Sequence, residues 1–320
     1  MRAWRRLTGG DGLTVVACSG GADSTALLVA LWGATSRVVA AHVVHDMRSR
    51  EESERDRDWV AGFAAKLGVA FVSEGVAARA LGGNLEAACR KARYAALARM
   101  AAGAGAAWVA TGHHAGDQAE TVLMRLMRGA GPRGLGGMRA KRVLSVEPRV
   151  VQVRPALGVE PADLKGMCTR LGVAWVEDAT NADVTRVRAA VRHGVLPALV
   201  GISPRVMERI GVAAELCAES AAVVRGVAEA ALAKGVREAG GVVFGRAEMR
   251  ALPAVVVGEC VRMAAEREGR RDRLSWRVVR PVAEAIRDGK EHRREFRVGS
   301  SWCVVDAARI LIRAHEEIER

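Results

Sequence analysis

The sequence predicts an α/β protein: a doubly wound parallel sheet over residues 1–200, followed by a smaller, mainly helical α+β domain over residues 201–320. Three observations carry this expectation. Short apolar runs of strand length alternate with stretches of helical periodicity from Leu13 to Arg128. A loop of small residues, Ser19-Gly20-Gly21-Ala22-Asp23-Ser24, joins the first run to the first helical stretch. Beyond Ser203 the alternation stops, and long tracts rich in Ala, Val, Glu and Arg replace it.

In order, Leu13–Ala17 reads as a buried strand, Ser24–Trp32 as a helix, Val38–Val44 as a strand and Glu52–Leu67 as a helix. Val69–Val72 is a third strand. Asn84 is placed to cap a long helix over Leu85–Ala102, with Glu86 suited to its dipole. Ala107–Thr111 is a fourth strand and Gln118–Arg128 a helix. Gly129–Gly137 is too glycine-rich for the interior of an element and reads as a mobile loop. Val143–Val153 suits a strand pair, Pro161 opens a short helix to Leu171, and Thr185–Leu199 is helical with Pro197 near its end. In the second domain Pro204–Ala233 is a long helical tract, and Glu295–Val305 reads as strand, turn, strand.

Lys and Arg number 49 against 36 Asp and Glu, a net charge of +13. Such an excess suits a polyanionic partner through counterion release, or reflects an Arg- and Ala-rich composition; charge alone leaves both open. The six cysteines, at 18, 89, 168, 217, 260 and 303, form no CxxC pair and read as small buried residues in a reducing compartment. No apolar run reaches about 18 residues and the basic start lacks a signal stretch, so the expectation is a cytoplasmic protein with no membrane partner.

The loop carries the chemistry. Between a strand and a helix, Ser-Gly-Gly-x-Asp-Ser lets the backbone N–H groups approach phosphate oxygens, and the helix start adds a positive dipole end. No Gly-Lys-Ser/Thr follows, so this is not a loop that grips a γ-phosphate; it suits a site that retains pyrophosphate as a leaving group. Asp23 is placed to help hold Mg²⁺. Asp117 and Glu120, three apart at a helix start, share one side of it, where they serve chemistry or simply cap the helix. His113 ends a strand at the carboxyl edge, where ligands bind in such sheets. His42, inside an apolar run, reads as a packed core histidine, and Glu51–Asp58 as a solvated helix face.

The loop resembles the PP-loop of N-type ATP pyrophosphatases, a fold of the adenine nucleotide α-hydrolase type. His42-Val-Val-His-Asp-Met-Arg48, Leu85–Tyr94, Thr111–Leu123 with Arg128-Gly129, Arg154-Pro155, Glu177-Asp178 and Asn181-x-Asp183 with Arg188 and Arg192 are similar, within that group, to the tRNA(Ile)-lysidine synthase family. The resemblance covers about residues 13–199. It departs at Gly116, where that family usually has Asp, at Val44, Asp46 and Met47, and at Pro132, where leucine is common.

The resemblance implies a carbon–nitrogen ligase. ATP adenylates O2 of the first anticodon cytidine of tRNA(Ile) with a CAU anticodon, pyrophosphate leaves, and the ε-amine of L-lysine then displaces AMP. It implies ATP at Ser19–Ser24 and His113, Mg²⁺ at Asp23 and Asp117, and lysine at Glu120 and Asp117. Arg93 would steady a phosphate, and Arg128, Arg188 and Arg192 would meet tRNA. Arg270, Arg271 and Arg273, in the part the resemblance does not reach, are expected on charge grounds to track tRNA phosphates. A monomer and a homodimer are both compatible. The rivals are a tRNA-thiolating enzyme, which typically brings paired cysteines; a small-molecule synthetase, which needs no +13 charge; and a non-catalytic basic RNA-binding protein.

Overall fold

The computed structural model describes residues 1–46, 49–77, 85–177, 187–238, 240–269 and 274–314. The expectations for Met47, Arg48, Asn84, Asp178, Asn181, Asp183, Arg270, Arg271 and Arg273 lie outside these residues. The chain forms two units, Met1–Met124 with Gly137–Val212, and Arg125–Gly136 with Ala213–Arg320. This division falls downstream of the expected boundary near residue 200. Met207 and Ile210, at the start of a helix that begins at Val206, pack with Ala119, Val191 and Leu196 of the first unit.

In the first unit α1 (Arg2–Thr8) precedes β1 (Thr14–Ala17), α2 (Ala22–Trp32), β2 (Val38–His45), α3 (Arg50–Lys66) and β3 (Ala70–Val76). Then come α4 (Leu85–Gly103), β4 (Trp108–Thr111), α5 (Ala115–Met127), β5 (Lys141–Ser145), β6 (Val150–Val153) and α7 (Pro161–Arg170); α6 (Pro132–Leu135), between α5 and β5 in the chain, belongs to the second unit. Among the described residues the sheet order is β3-β2-β1-β4-β6-β5, parallel except for β5, which closes the edge antiparallel to β6. The strand order reverses between β1 and β4, which makes their carboxyl ends the expected ligand crevice.

Strand alternation builds both faces. Val16, Ala40, Ala110 and Val153 face Leu27, Leu28 and Leu31 of α2 and Val60 and Ala64 of α3. Val15, Val39, Ala41 and Val109 face Tyr94, Leu97 and Ala101 of α4. The helix α3 starts at a capping box: Ser49 Oγ accepts from Glu52 N–H at 3.2 Å, and Glu52 accepts from Ser49 N–H at 3.2 Å.

Gly129–Gly137, expected as a loop without structure, contains the helical turn α6. Pro132 occupies its first turn, where a missing N–H costs nothing, and Arg125 Nη1 donates to Gly134 O at 2.7 Å. The helix expected over Thr185–Leu199 is found as α8 (Val187–Ala190), a π-helical turn over Val191–Val195 and α9 (Leu196–Ile202). Pro197 gives the reason: its ring excludes an α-helical carbonyl four residues back, and Leu196 N–H instead bonds Val191 O, five residues back.

The second unit takes most of α10 (Val206–Leu232), then β7 (Val236–Glu238), β8 (Gly241–Gly245), α11 (Arg246–Arg250), α12 (Ala254–Glu268) and α13 (Trp276–Arg287). It ends with β9 (Arg294–Val298), β10 (Ser301–Val305) and β11 (Arg309–Ala314). Its antiparallel sheet, β7-β8-β11-β10-β9, is larger than the single hairpin expected. Val257, Cys260, Val261, Val282, Ile286 and Ile310 fill its core.

Two buried arginines brace this unit. Arg246 donates to the carbonyls of Ala285, Ile286, Lys290 and Asp306 at 2.6–3.1 Å and meets Asp288 at 3.3 Å. Arg262 is paired with Glu259 and Glu266. Arg294 pairs with Asp288, which holds that carboxyl well below its usual range.

Candidate active site

The carboxyl ends of β1 and β4 carry the site. After β1, Gly20 turns with φ +93°, a conformation open to glycine and strained for residues with a Cβ. Ser24 Oγ ties the loop together, accepting from Ser19 N–H at 3.1 Å and donating to Gly21 O at 3.0 Å. The helix α2 starts at Ala22 with Gly21 as its N-cap, so its first N–H groups open toward the loop.

After β4, Gly112 brings the backbone against α2: a Cβ there would lie 3.0 Å from Asp23 O and 3.1 Å from Ser24 Cα. That close approach sets His114 beside Asp23, with Nε2 3.5 Å from Asp23 Oδ2 and 3.6 Å from Asp117 Oδ2. Burial opposes a charge on His114, but Asp23 and Asp117 outweigh it and hold its pKa above the usual value. The other oxygen of Asp23, Oδ1, is buried and has no hydrogen-bond partner.

The helix α5 begins at Ala115, three residues before the expected start. His114 caps it: Asp117 N–H donates to His114 Nδ1 at 3.3 Å, and His114 N–H donates to Asp117 Oδ2 at 3.2 Å. This is the reciprocal geometry of a capping box, built from His and Asp. The capping alternative therefore holds for Asp117, at the third helical position, and not for Glu120. Glu120 is 1% exposed and faces two arginines. Arg188 Nε lies 2.7 Å and Arg192 Nε 2.5 Å from its two oxygens, and Arg188 Nη2 reaches Asp117 Oδ1 at 2.9 Å.

A second polar group runs from β6 to β4. Arg154 Nη2 donates to Gln152 Oε1 at 2.8 Å, which fixes the amide. Gln152 Nε2 then donates to Thr111 Oγ1 at 2.9 Å and Tyr94 Oη at 3.2 Å. Thr111 Oγ1 lies 2.9 Å from His113 Nδ1, a contact that either neutral tautomer of the ring can make. The His113 ring is held neutral. Burial first, then the surrounding arginines, push its pKa down to about 2.

A family model of the PP-loop domain matches residues 9–199. The tRNA(Ile)-lysidine synthase of Salinispora tropica is 44% identical over 237 residues, 72% of this chain and 69% of that protein. That of Salinispora arenicola is 42% identical over 234 residues, 72% and 69% of the two chains. The chain belongs to the tRNA(Ile)-lysidine synthase family. In the fold alone, the U34-tRNA thiolase NcsA from Methanococcus maripaludis is similar, with a TM-score of 0.55, 16% identity, and 68% and 77% of the two chains covered.

Against the residues the lysidine synthase resemblance singles out, the structure gathers Ser19–Ser24, Asp23, Asp117 and Glu120 around β1 and β4, with His113 in the connection from β4 to α5. Arg188 and Arg192, read as tRNA contacts, are paired with Glu120 and Asp117. Arg93 lies 5.5 Å from the Tyr94 ring centroid. Arg128 is exposed and belongs to the second unit. His42 is buried, as read, and its Nδ1 meets Cys18 O at 2.9 Å. Among the described residues no helix is long and apolar enough to cross a membrane.

Gln152 and His114 were missed. A lone Gln in Val-Val-Gln-Val-Arg, fully buried, was the available signal for the first. For the second, the histidine one residue before the expected helix drew no capping role because histidine is not among the usual N-cap residues.

Proposed function

We infer that the chain catalyses lysidine formation on tRNA(Ile): cytidine O2 attacks the α-phosphorus of ATP, pyrophosphate leaves, and the lysine ε-amine displaces AMP from C2 with loss of a proton. The observation that carries this reading is the pairing, across one crevice, of a PP-loop carboxylate with a vacant oxygen and a carboxylate pair matched to a cation. A cytosine carbonyl is a poor electrophile at C2, and adenylation converts its oxygen into a leaving group.

Ser19, Ser24 and the N–H groups at the start of α2 hold the pyrophosphate. The unpartnered Asp23 Oδ1 suits a divalent cation, whereas both oxygens of Asp117 already accept hydrogen bonds. Asp23 is therefore the first ligand for Mg²⁺, which when bound offsets charge on the leaving phosphate. His113, kept neutral, adds no positive charge that would draw pyrophosphate back.

Glu120 and Asp117 take the lysine ammonium by exchange. A buried carboxylate is not left bare, so the ammonium replaces an arginine on Glu120, and the released guanidinium is then available to RNA phosphate. Arg128 and residues 201–320 supply the basic surface for the body of the tRNA, and Arg93 steadies the phosphate at the cytidine.

The test is pyrophosphate release from ATP with purified full-length chain, lysine and CAU-anticodon tRNA(Ile), each omitted in turn. The expected result is release that requires the tRNA, and lysidine and AMP formed only with lysine present. Pyrophosphate release equally fast without tRNA would overturn the reading.

A further inference from the structure

We propose that Arg90, Arg142 and Arg154, grouped with Arg93 around Tyr94, form a binding site for backbone phosphate of the RNA strand that carries the target base. The inference rests on the RNA-modifying reading above and adds a second anion site to it, separate from the PP-loop. The guanidinium carbons of Arg90, Arg93 and Arg142 lie 5.2, 5.5 and 5.3 Å from the centroid of the one Tyr94 ring. Tyr94 is held from below by Gln152, and Arg142 sits opposite Gln152 in the β5–β6 register. Arg154, 4% exposed, is anchored through its two terminal nitrogens to Arg139 O and Gln152 Oε1. Its Nε is buried without a partner.

Charge balance is what sets this group apart. Among the described residues no carboxylate pairs with Arg90, Arg93, Arg142 or Arg154, although 5–6 Å around one ring crowds three of them together. Burial and the neighbouring arginines lower the pKa of Arg90 and of Arg154, with Tyr94 as the opposing influence. Cation–π attraction to one tyrosine offsets part of the repulsion; an anion would remove it. The buried, unpartnered Arg154 Nε is a donor still waiting for an acceptor.

Position argues for RNA over the nucleotide's own phosphates. The PP-loop follows β1, while Arg154 follows β6 and Arg142 lies on β5, two and three strands away. At about 4.8 Å per strand, Arg154 and Arg142 are displaced by roughly 10–14 Å along the sheet from the loop, too far for a pyrophosphate seated there to engage both. Four cations without a carboxylate also exceed what one amino-acid carboxylate would call for. A polyanionic strand laid across the carboxyl edge meets both requirements, its base toward β1 and β4 and its neighbouring phosphate in the cradle.

The test uses full-length protein and a fluorescein-labelled CAU anticodon stem-loop, with anisotropy titrations from 50 to 300 mM KCl. Neutralising one phosphate contact flattens the slope of log K against log[KCl] by about 0.7 for single-stranded RNA. Arg142→Gln should therefore lower the slope by about 0.7 and Arg90→Gln/Arg142→Gln by about 1.4. Arg142→Lys, which keeps the charge, should restore most of the slope and so separates loss of an ion contact from loss of folding. ATP affinity without RNA should stay within twofold, and the lysine KM likewise. An unchanged RNA slope in the double variant overturns the proposal. So does a parallel loss of ATP affinity, which would give the cradle to the nucleotide, or a raised lysine KM with the RNA slope intact, which would give it to the amino-acid carboxylate. RNA binding is read without turnover, so a failure of lysidine formation in the wild-type protein leaves this test standing on its own.

Discussion

The two units use buried arginine in opposite ways. In the second, Arg246 has four backbone carbonyls and a carboxylate, Arg262 has two carboxylates, and Arg294, whose Nε is also buried without a partner, has Asp288; each guanidinium has an acid beside it. In the first, Arg154 is equally buried yet keeps an unanswered Nε and stands among three more arginines with, among the described residues, no acid paired to them. Burial alone does not separate a structural arginine from a ligand-seeking one; the inventory of partners does. Carboxylates divide the same way. Both oxygens of Glu120 are occupied by guanidinium, whereas Asp23 keeps one buried oxygen open.

The sharpest way to probe that division is Asp23→Asn. The open oxygen is replaced by a group that does not hold Mg²⁺ well, and pyrophosphate release should fall at least about 10³-fold, roughly 4 kcal/mol of transition-state stabilisation. Quenched-flow assay of pyrophosphate at saturating ATP and graded Mg²⁺ measures it, with RNA affinity as the control that should barely move. Activity near the wild-type level at limiting Mg²⁺ would remove Asp23 from the metal site.

Next in size is Arg246→Met. It takes the Arg246 donors from the carbonyls of Ile286, Lys290 and Asp306, Ala285 O keeping Arg294, and should cost about 3–5 kcal/mol of stability, read by urea unfolding of the whole chain. Arg142→Gln, on an exposed edge strand, should change stability by less than about 0.5 kcal/mol. If the two substitutions cost the same, the contrast between answered and unanswered arginines fails.

Glu120→Gln comes third. It keeps the shape and removes the charge matched to an ammonium, so the lysine KM should rise about 100-fold, near 2.7 kcal/mol, with the ATP KM little changed. Equal effects on both substrates would assign Glu120 to holding Arg188 and Arg192 in place and nothing more.

The smallest effect belongs to His113. Its folded pKa, about 2, lies below the unfolded value of about 6.5. Between those values the unfolded chain binds the extra proton, so the stability His113 contributes is present above about pH 6.5 and is lost as pH falls. Allowing for the partly open ring, the wild type should lose about 1 kcal/mol more than His113→Asn between pH 7 and pH 5. His114, with its raised pKa, acts in the other direction in both proteins and cancels in the difference. Thermal unfolding at the two pH values decides it.

Much of this arrangement was legible in the chain. The buried runs at Leu13–Ala17, Val38–Val44 and Ala107–Thr111 gave the parallel strands because strands covered on both faces are continuously apolar. Ser19–Ser24 announced its chemistry because an anion loop is local: strand, glycines and helix start are contiguous. What stayed hidden depends on distance in sequence. Arg188 and Arg192 looked like RNA contacts because their partners, Asp117 and Glu120, lie 68–75 residues away. The extra strands of the second unit, β7, β8 and β11, are short, and only their antiparallel pairing marks them out. The π turn followed from Pro197, a residue noted as a terminus when it was the cause of a change in register.

Gly116 ties two positions together. A Cβ at 116 would come 2.9 Å from His114 Cε1 and 3.1 Å from Nδ1, so the space usually given to a side chain at 116 is filled by the imidazole of 114. Glycine in the first turn of α5 forgoes up to about 1 kcal/mol of helix propensity relative to alanine. Alanine would recover that only by tilting the ring off Asp117 N–H and away from Asp23 Oδ2. The two sites therefore form an interlock, in which size added at 116 must be subtracted at 114. A protein engineer restoring the family's aspartate at 116 would have to redesign the helix cap in the same step.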